Sequence, residues 1–184
     1  MMDFCILGSG VAGSTIANLL SKKYNVQILE KSKGVGGRTS NRRYKKKLSF
    51  DHGLQYIGPK NIQFKNFIKD LIKKKIIKKW EGNHLNYTFT KKKESIKYIC
   101  KNGNNDLCKF LTKKIHKKLN SRVKKIEYIK GCWKINLENN EKFFSKNLII
   151  TFPYLQTKIL AKKYLNNSIL NSNVQMSPVI TSML

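Results

Sequence analysis

Phe4-Cys5-Ile6-Leu7-Gly8-Ser9-Gly10-Val11-Ala12-Gly13-Ser14 reads as a buried strand that runs into a glycine turn and then opens a helix. The helix is expected from Ser14 to about Lys22. A second strand, Val26-Gln27-Ile28-Leu29, ends on an acid, Glu30. Each residue type has a physical task. Gly8 permits the tight turn off the strand. The missing side chain at Gly10 lets backbone N–H groups approach a pyrophosphate, and Gly13 lets the helix pack closely on the strand. The helix N-terminus presents unpaired N–H groups and partial positive charge to phosphates. Glu30, seventeen residues after Gly13, stands where a carboxylate accepts hydrogen bonds from an adenosine ribose. G-x-G-x-x-G alone is weak. The preceding strand, the following helix and the placed acid supply the context a dinucleotide site requires.

Outward from Glu30 the chain continues Lys31-Ser32-Lys33-Gly34-Val35-Gly36-Gly37-Arg38-Thr39. With Ala17 and Leu20 facing the sheet, this resembles the extended fingerprint of the two-dinucleotide-binding flavoproteins. That resemblance implies FAD rather than a plain NAD(P) site, with the Gly-Gly-Arg loop running along the pyrophosphate towards the flavin. A further segment, Asp51-His52-Gly53-Leu54-Gln55-Tyr56, sharpens it. The combination is similar to the renalase-like branch of flavin-dependent oxidoreductases, a sister group of the flavin amine oxidases. Asp51 and Gly53 match, and Leu54 replaces a smaller residue. The resemblance implies that Gly8, Gly10, Ala12, Gly13 and Arg38 hold the pyrophosphate and Glu30 the ribose. Gln55 and Tyr56 would flank the flavin, and Val123 would meet the adenine end through its backbone. Val11, Lys31, Gly37 and Thr39 complete the expected cofactor contacts. The implied substrates are dihydronicotinamide isomers: hydride passes to FAD, and dioxygen reoxidises it with release of hydrogen peroxide.

The fold implied is α/β. A Rossmann-like FAD-binding domain would comprise residues 1–78 and 100–165, with a β-meander insertion at about 121–145. Residues 79–99 and 166–184 would belong to a mixed-sheet substrate domain present only in part. The resemblance covers the whole chain but only about the first half of the family pattern, so a fragment or a truncated product is expected. Whether this chain alone is active stays open.

Composition gives a rival reading. The formal net charge is +28, which invites nucleic acid as a partner. Only four of the 38 basic residues are Arg, however, and Asn and Ile are also abundant, a joint bias that follows from AT-rich codons. The lysine runs at 45–47, 73–75 and 91–93 read as solvated surface at element ends. Zinc-finger spacing and RNA-binding aromatic signatures are absent, so no specific nucleic-acid partner is expected. In a chain that uses Lys nearly everywhere, Arg38, Arg42 and Arg43 cluster after the glycine pair. A planar fork grips phosphate where Lys does so poorly; this favours a role for Arg38 and leaves Arg42 and Arg43 open. Cys5, Cys100, Cys108 and Cys132 form no C-x-x-C pair and read as reduced, buried thiols of a cytoplasmic protein. The N-terminus lacks a basic leader and carries Asp3, so a signal peptide is not expected; no stretch is apolar enough to span a membrane.

Along the rest of the chain, a basic hairpin-like stretch precedes Ser49. An amphipathic helix is expected over about Ile62 to Ile76, with Phe64, Phe67, Ile68, Leu71 and Ile72 as its stripe. Residues 80–100 read as short strands with turns at Gly82-Asn83 and Lys91–Lys93. Trp80, Tyr87, Phe89 and Tyr98 are either substrate-cavity residues or sheet core. His52 reads as a loop histidine rather than a base, because flavin hydride chemistry often needs none. His84 reads as an exposed turn residue. A helix is expected over about Leu107 to Leu119, with Leu107, Phe110, Leu111, Ile115 and Leu119 inward. Cys108 and His116 flank it at a spacing that fits no metal site. A meander follows: Ser121–Ile129, Cys132–Leu137 and Glu141–Phe144, with turns at Lys130-Gly131 and Asn139-Asn140. Asn147–Phe152 reads as a separate buried parallel strand. Pro153 ends it and starts a helix from Tyr154 to about Tyr164, and Val174–Leu184 reads as a further strand.

No residue stands out as a catalytic acid or base. The nearest enzyme rival is a flavin amine oxidase or desaturase-like enzyme. Rivals from other classes are a non-catalytic basic module that binds nucleic acid, and an inactive fragment. Oligomeric state is not legible in the sequence.

Overall fold

The computed structural model describes residues 1–44, 48–81, 96–178 and 181. The expected turns at Gly82-Asn83 and Lys91–Lys93, with His84, Tyr87 and Phe89, lie outside these residues.

The opening motif folds as its pattern requires. β1 (Met2–Leu7) leads through the glycine turn into α1 (Val11–Leu20), and β2 (Val26–Leu29) returns parallel to β1. Gly8 turns at φ +100°, and Gly10 caps the helix. The helix therefore starts three residues earlier than expected, at Val11 rather than Ser14. The whole Val11-Ala12-Gly13 run forms its first turn.

Next come a short hairpin, β3 (Asn41–Tyr44) with β4 (Leu48–Asp51), and α2 (Ile62–Lys73). Asn61 caps α2, its Oδ1 accepting from the Phe64 N–H at 2.8 Å. Ile68 and Leu71 are buried, while Ile72 is 38% exposed and leaves the expected stripe. β5 (Ile77–Lys79) pairs antiparallel with β6 (Tyr98–Cys100). α2, this two-stranded sheet and α3 (Asp106–Leu111) enclose a core of Ile57, Ile68, Leu71, Ile77, Cys100, Leu107 and Leu111.

The expected helix over Leu107–Leu119 is only half realised. α3 stops at Leu111, where the Thr112 hydroxyl bonds back to the Cys108 carbonyl at 2.8 Å. The chain then extends as β7 (His116–Lys118), parallel to β2. The free edge of β2 outweighs the helical spacing of Ile115 and Leu119.

β8 (Val123–Ile129), β9 (Cys132–Leu137) and β10 (Lys142–Ile150) complete one six-stranded sheet in the order β7-β2-β1-β10-β9-β8. The hairpin turns fall where expected, with positive φ at Lys130, Gly131 and Asn140. The last strand of the meander and the expected parallel strand are one element, β10. β10 pairs antiparallel with β9 over Lys142–Ser145 and parallel with β1 up to Ile150. Ser145 lies at the changeover, buried, its hydroxyl bonding to the Asn147 carbonyl at 2.7 Å.

Alternation along β1 splits the core into two faces. Ile6 joins Ala17, Val26, Ile28 and Ile115 on the α1 side. Cys5 and Leu7 join Leu29, Ile126, Ile135, Leu137 and Ala161 on the other. That second face is covered by α4 (Tyr154–Ala161), which Pro153 caps. A short α5 (Asn167–Leu170) follows. Residues 172–178 form neither helix nor strand and are exposed, so among the described residues the expected strand from Val174 is absent. Three cysteines are buried as expected, but Cys132 is only half-buried. No described helix is long and apolar enough to cross a membrane.

Candidate functional site

A cleft of about 420 Å³ opens where β1 and β10 end and α1 begins. Gly8, Gly10, Val11 and Ala12 line it from the turn, Glu30, Lys31 and Ser32 from the end of β2, and Gly36–Ser40 from the second glycine loop. Thr151, Phe152, Pro153 and Gln156 close the far wall.

The two glycine segments are locked together. The Gly36 N–H donates to the Ser9 carbonyl at 3.0 Å, and Gly10 and Gly36 form a parallel bridge. Gly36 and Gly37 adopt φ +133° and +54°, conformations that side chains resist. Thr39, buried, braces the loop by donating its hydroxyl to the Gly36 carbonyl at 2.9 Å. Gly13 has a different constraint. A Cβ there would run into the Gly8 carbonyl and lie 2.8 Å from Thr151 Oγ1, the atom a Cβ on Gly8 would also meet at 2.8 Å. Thr151 fills the niche both glycines leave, donating to the Leu7 carbonyl at 2.9 Å.

Gly10 is less confined: a Cβ there would lie 3.9 Å from the Gly36 carbonyl oxygen and from Gly37 Cα, in ordinary van der Waals contact. Gly10 also lines the cleft, where a ligand can approach its backbone. α1 has no side-chain cap and no acid in its first turn, so its free N–H groups and dipole face the cleft uncompensated. Arg38 is exposed at the rim, and among the described residues none of the ion pairs involves it. The donor set and the cleft fit a pyrophosphate.

Glu30 is 6% exposed and fully anchored. Its Oε2 accepts from the Ser9 N–H and the Ser9 hydroxyl, both at 2.8 Å, and its Oε1 accepts from the Ser32 N–H at 2.9 Å. A carboxylate has about four acceptor positions, so one remains for a ligand hydroxyl.

Not all expected contacts converge here. Gly13 is packed behind the turn. Val123 lines a neighbouring groove of about 550 Å³ that shares Lys31, Phe152 and Gln156 with the cleft. Gln55 and Tyr56 do not line the cleft; both are exposed, and Tyr56 leans on Trp80 at 5.9 Å between ring centroids. The segment still touches the loop, because the Leu54 N–H donates to the Arg38 carbonyl at 2.9 Å and Gly53 lies against that same carbonyl. Tyr98 packs at the edge of the α2 core. His52 is half-buried, and its carbonyl accepts from the Thr181 hydroxyl at 3.0 Å.

Asn104 carries no sequence signal beyond a turn, yet it organises this region. It is fully buried, donates to the Leu54 carbonyl at 2.7 Å and accepts from the Cys100 N–H at 3.1 Å. Its own N–H bonds to Asp51 Oδ1 at 2.9 Å. Thr151, Phe152 and Gln156 were legible only as the end of a strand and the start of a helix. Among the described residues no group of three or more His, Cys, Asp or Glu side chains could hold a metal ion. Burial pushes the Cys5 thiol up to about 12 and Cys100 to about 11, so neither is a ready nucleophile.

Residues 6–71 match the family model of the NAD(P)-binding Rossmann-like domain. Over 91% of its length the chain superposes on a putrescine oxidase variant, from a redesign of cofactor binding, with a TM-score of 0.70 and 11% identity. Over 92% it superposes on an Exiguobacterium sp. 255-15 protein provisionally assigned as a protoporphyrinogen oxidase, with a TM-score of 0.68 and 10% identity. The chain spans 62% and 63% of the length of those two chains. Fold and turn agree: the chain has a Rossmann-like α/β fold, built on the same plan as these two proteins.

Proposed function

We propose that the chain is the cofactor-binding part of a FAD-dependent oxidoreductase. The observation that carries this reading is the cleft between two interlocked glycine segments, lined by Gly10 and Arg38. Gly10, Val11, Ala12, Gly37 and Arg38 would hold the pyrophosphate. Glu30 would take a ribose hydroxyl, and the groove beside Lys31 and Val123 would take the adenine. Gln55 and Tyr56 would flank the ring. Residues 1–78 and 100–165 would form the FAD-binding domain, and 79–99 with 166–184 would contribute to a substrate domain. When bound, FAD supplies two-electron acceptance from a carbon–hydrogen bond and passes the pair to dioxygen, releasing hydrogen peroxide. The protein binds, orients and shields; we assign no side chain as acid or base.

The Gly-Gly-Arg and Asp-His-Gly-Leu-Gln-Tyr segments favour a renalase-like substrate, a dihydronicotinamide isomer. The likeness to putrescine oxidase favours an amine instead. On this reading the protein is cytoplasmic, where its free cysteines would stay reduced. The test is a visible spectrum of the 184-residue protein after incubation with FAD and desalting. Retained flavin bands support the reading, and anaerobic bleaching by a dihydronicotinamide or by an amine separates the two substrates. A folded, colourless protein that binds nucleic acid with a steep salt dependence would support the basic module instead.

A further inference from the structure

We infer that Ser9, the unassigned middle residue of the glycine turn, is the positioning residue that sets how this site recognises the adenosine ribose. The inference rests on the dinucleotide reading of the cleft. Ser9 is fully buried, and its hydroxyl and N–H both donate to one oxygen of Glu30, each at 2.8 Å. Ser9 is itself held from behind, because the buried Ser14 donates its hydroxyl to the Ser9 carbonyl at 3.1 Å. That carbonyl also receives the Gly36 N–H at 3.0 Å. The Glu30 backbone is pinned as well: its N–H donates to the Lys118 carbonyl at 2.9 Å, and its carbonyl accepts from the Ser121 N–H at 2.8 Å.

The consequence is chemical. Oε2 is saturated by Ser9, and Oε1 already serves Ser32. The carboxylate therefore offers one acceptor position in one fixed direction, and recognises one ribose hydroxyl rather than a vicinal pair. Without the Ser9 hydroxyl, Oε2 regains a free lone pair, and only the Ser9 and Ser32 N–H groups still orient the carboxylate. Hydroxyl recognition then loses its fixed geometry, while the pyrophosphate cradle is untouched. A structural role alone would weaken every ligand of the cleft equally.

The experiment measures Kd for ADP and for 2′,3′-dideoxy-ADP on the full chain and on Ser9→Ala, with FAD retention followed in parallel. Ser9→Gly, which also lacks the hydroxyl and adds no atom to the closed turn, is the second variant should Ser9→Ala fail to fold. The natural chain is expected to prefer ADP by roughly tenfold. Either variant should cut that preference to about threefold or less by weakening ADP and leaving dideoxy-ADP unchanged. Equal losses for both ligands, or an unchanged preference in both variants, would overturn the assignment. Failure of the flavin reading looks different: ADP discrimination as expected, with no FAD retained, leaves the Ser9 assignment standing. Absence of ADP binding by the natural chain overturns both.

Discussion

Glu30 and Tyr56 are expected to face the same cofactor, yet their surroundings are opposite. Glu30 is 6% exposed and its carboxylate is held by three donors from two residues. Tyr56 is 37% exposed and leans on Trp80, with the Lys97 ammonium 4.9 Å from its ring centroid. Only the backbone beside it is fixed, through the reciprocal bonds of Ile57 with Tyr98 at 2.7 and 2.9 Å. The first region is organised by its own hydrogen bonds, so a ligand arriving there loses little freedom. The second holds its chain in place but leaves its side chains to be ordered by whatever covers them. An adenosine diphosphate moiety should therefore bind this chain more readily than a flavin ring does.

The strongest way to break that contrast is Gly13→Val. Its side chain would collide with the Gly8 carbonyl and Thr151, neither of which can move without dismantling the β1–α1 turn. A loss of roughly 4 kcal/mol or more is expected in urea unfolding, at the upper end for overpacking. Stability within 1 kcal/mol of the natural chain would mean that the turn is not the rigid member of the pair.

Asn104→Ala probes the other region. It removes the donor to Leu54 and the acceptor for Cys100, both inside the protein. Leaving these groups unpaired should cost roughly 3 kcal/mol. Because Asn104 also fixes the segment before Tyr56, flavin retention should fall further than ADP affinity. Equal losses would erase the distinction between the two regions.

How much of this was legible follows the same division. The β1–α1–β2 unit, the acid at its end and both hairpin turns are local: glycine positions, apolar alternation and turn residues specify them within a few neighbours. Leu107–Leu119 was misread because Ile115 and Leu119 fit a helical stripe, while the demand of the β2 edge is not written near them. β10 was read as two strands because Ser145-Lys146 interrupts an apolar pattern, and only the exchange of β9 for β1 as partner explains it. Asn104 and Ser9 carry their roles through bonds to residues 50 and 21 positions away, which no spacing rule reveals.

Alkaline titration gives a smaller effect. Cys5 and Cys100 keep their protons in the fold up to about 12 and about 11 because burial disfavours the thiolate. The unfolded chain releases them near 8.5. Below that pH their contribution to stability is complete; above it the unfolded state binds fewer protons and stability falls. A loss of roughly 3 kcal/mol between pH 8.5 and 10 is expected from the two thiols together. Cys5 lies under the first region and Cys100 under the second, so Cys5→Ser and Cys100→Ser should each remove part of this slope.

Gly10→Ala should change stability least and sharpen the comparison most. Gly10 is already in a conformation open to any residue, φ −68° and ψ −177°, and its added methyl would meet no protein atom closer than 3.9 Å. The expected cost is about 1 kcal/mol or less, chiefly from a poorer helix cap. On the proposed reading the methyl would crowd the backbone that a pyrophosphate approaches, so retention of both ADP and FAD should fall at least tenfold. Gly13 and Gly10 belong to one motif and carry the same residue. On the proposed reading, one is glycine because the protein needs the space, the other because the ligand does. If Gly10→Ala unfolded the chain, or left binding intact, the cleft would not be the site where phosphate meets the turn.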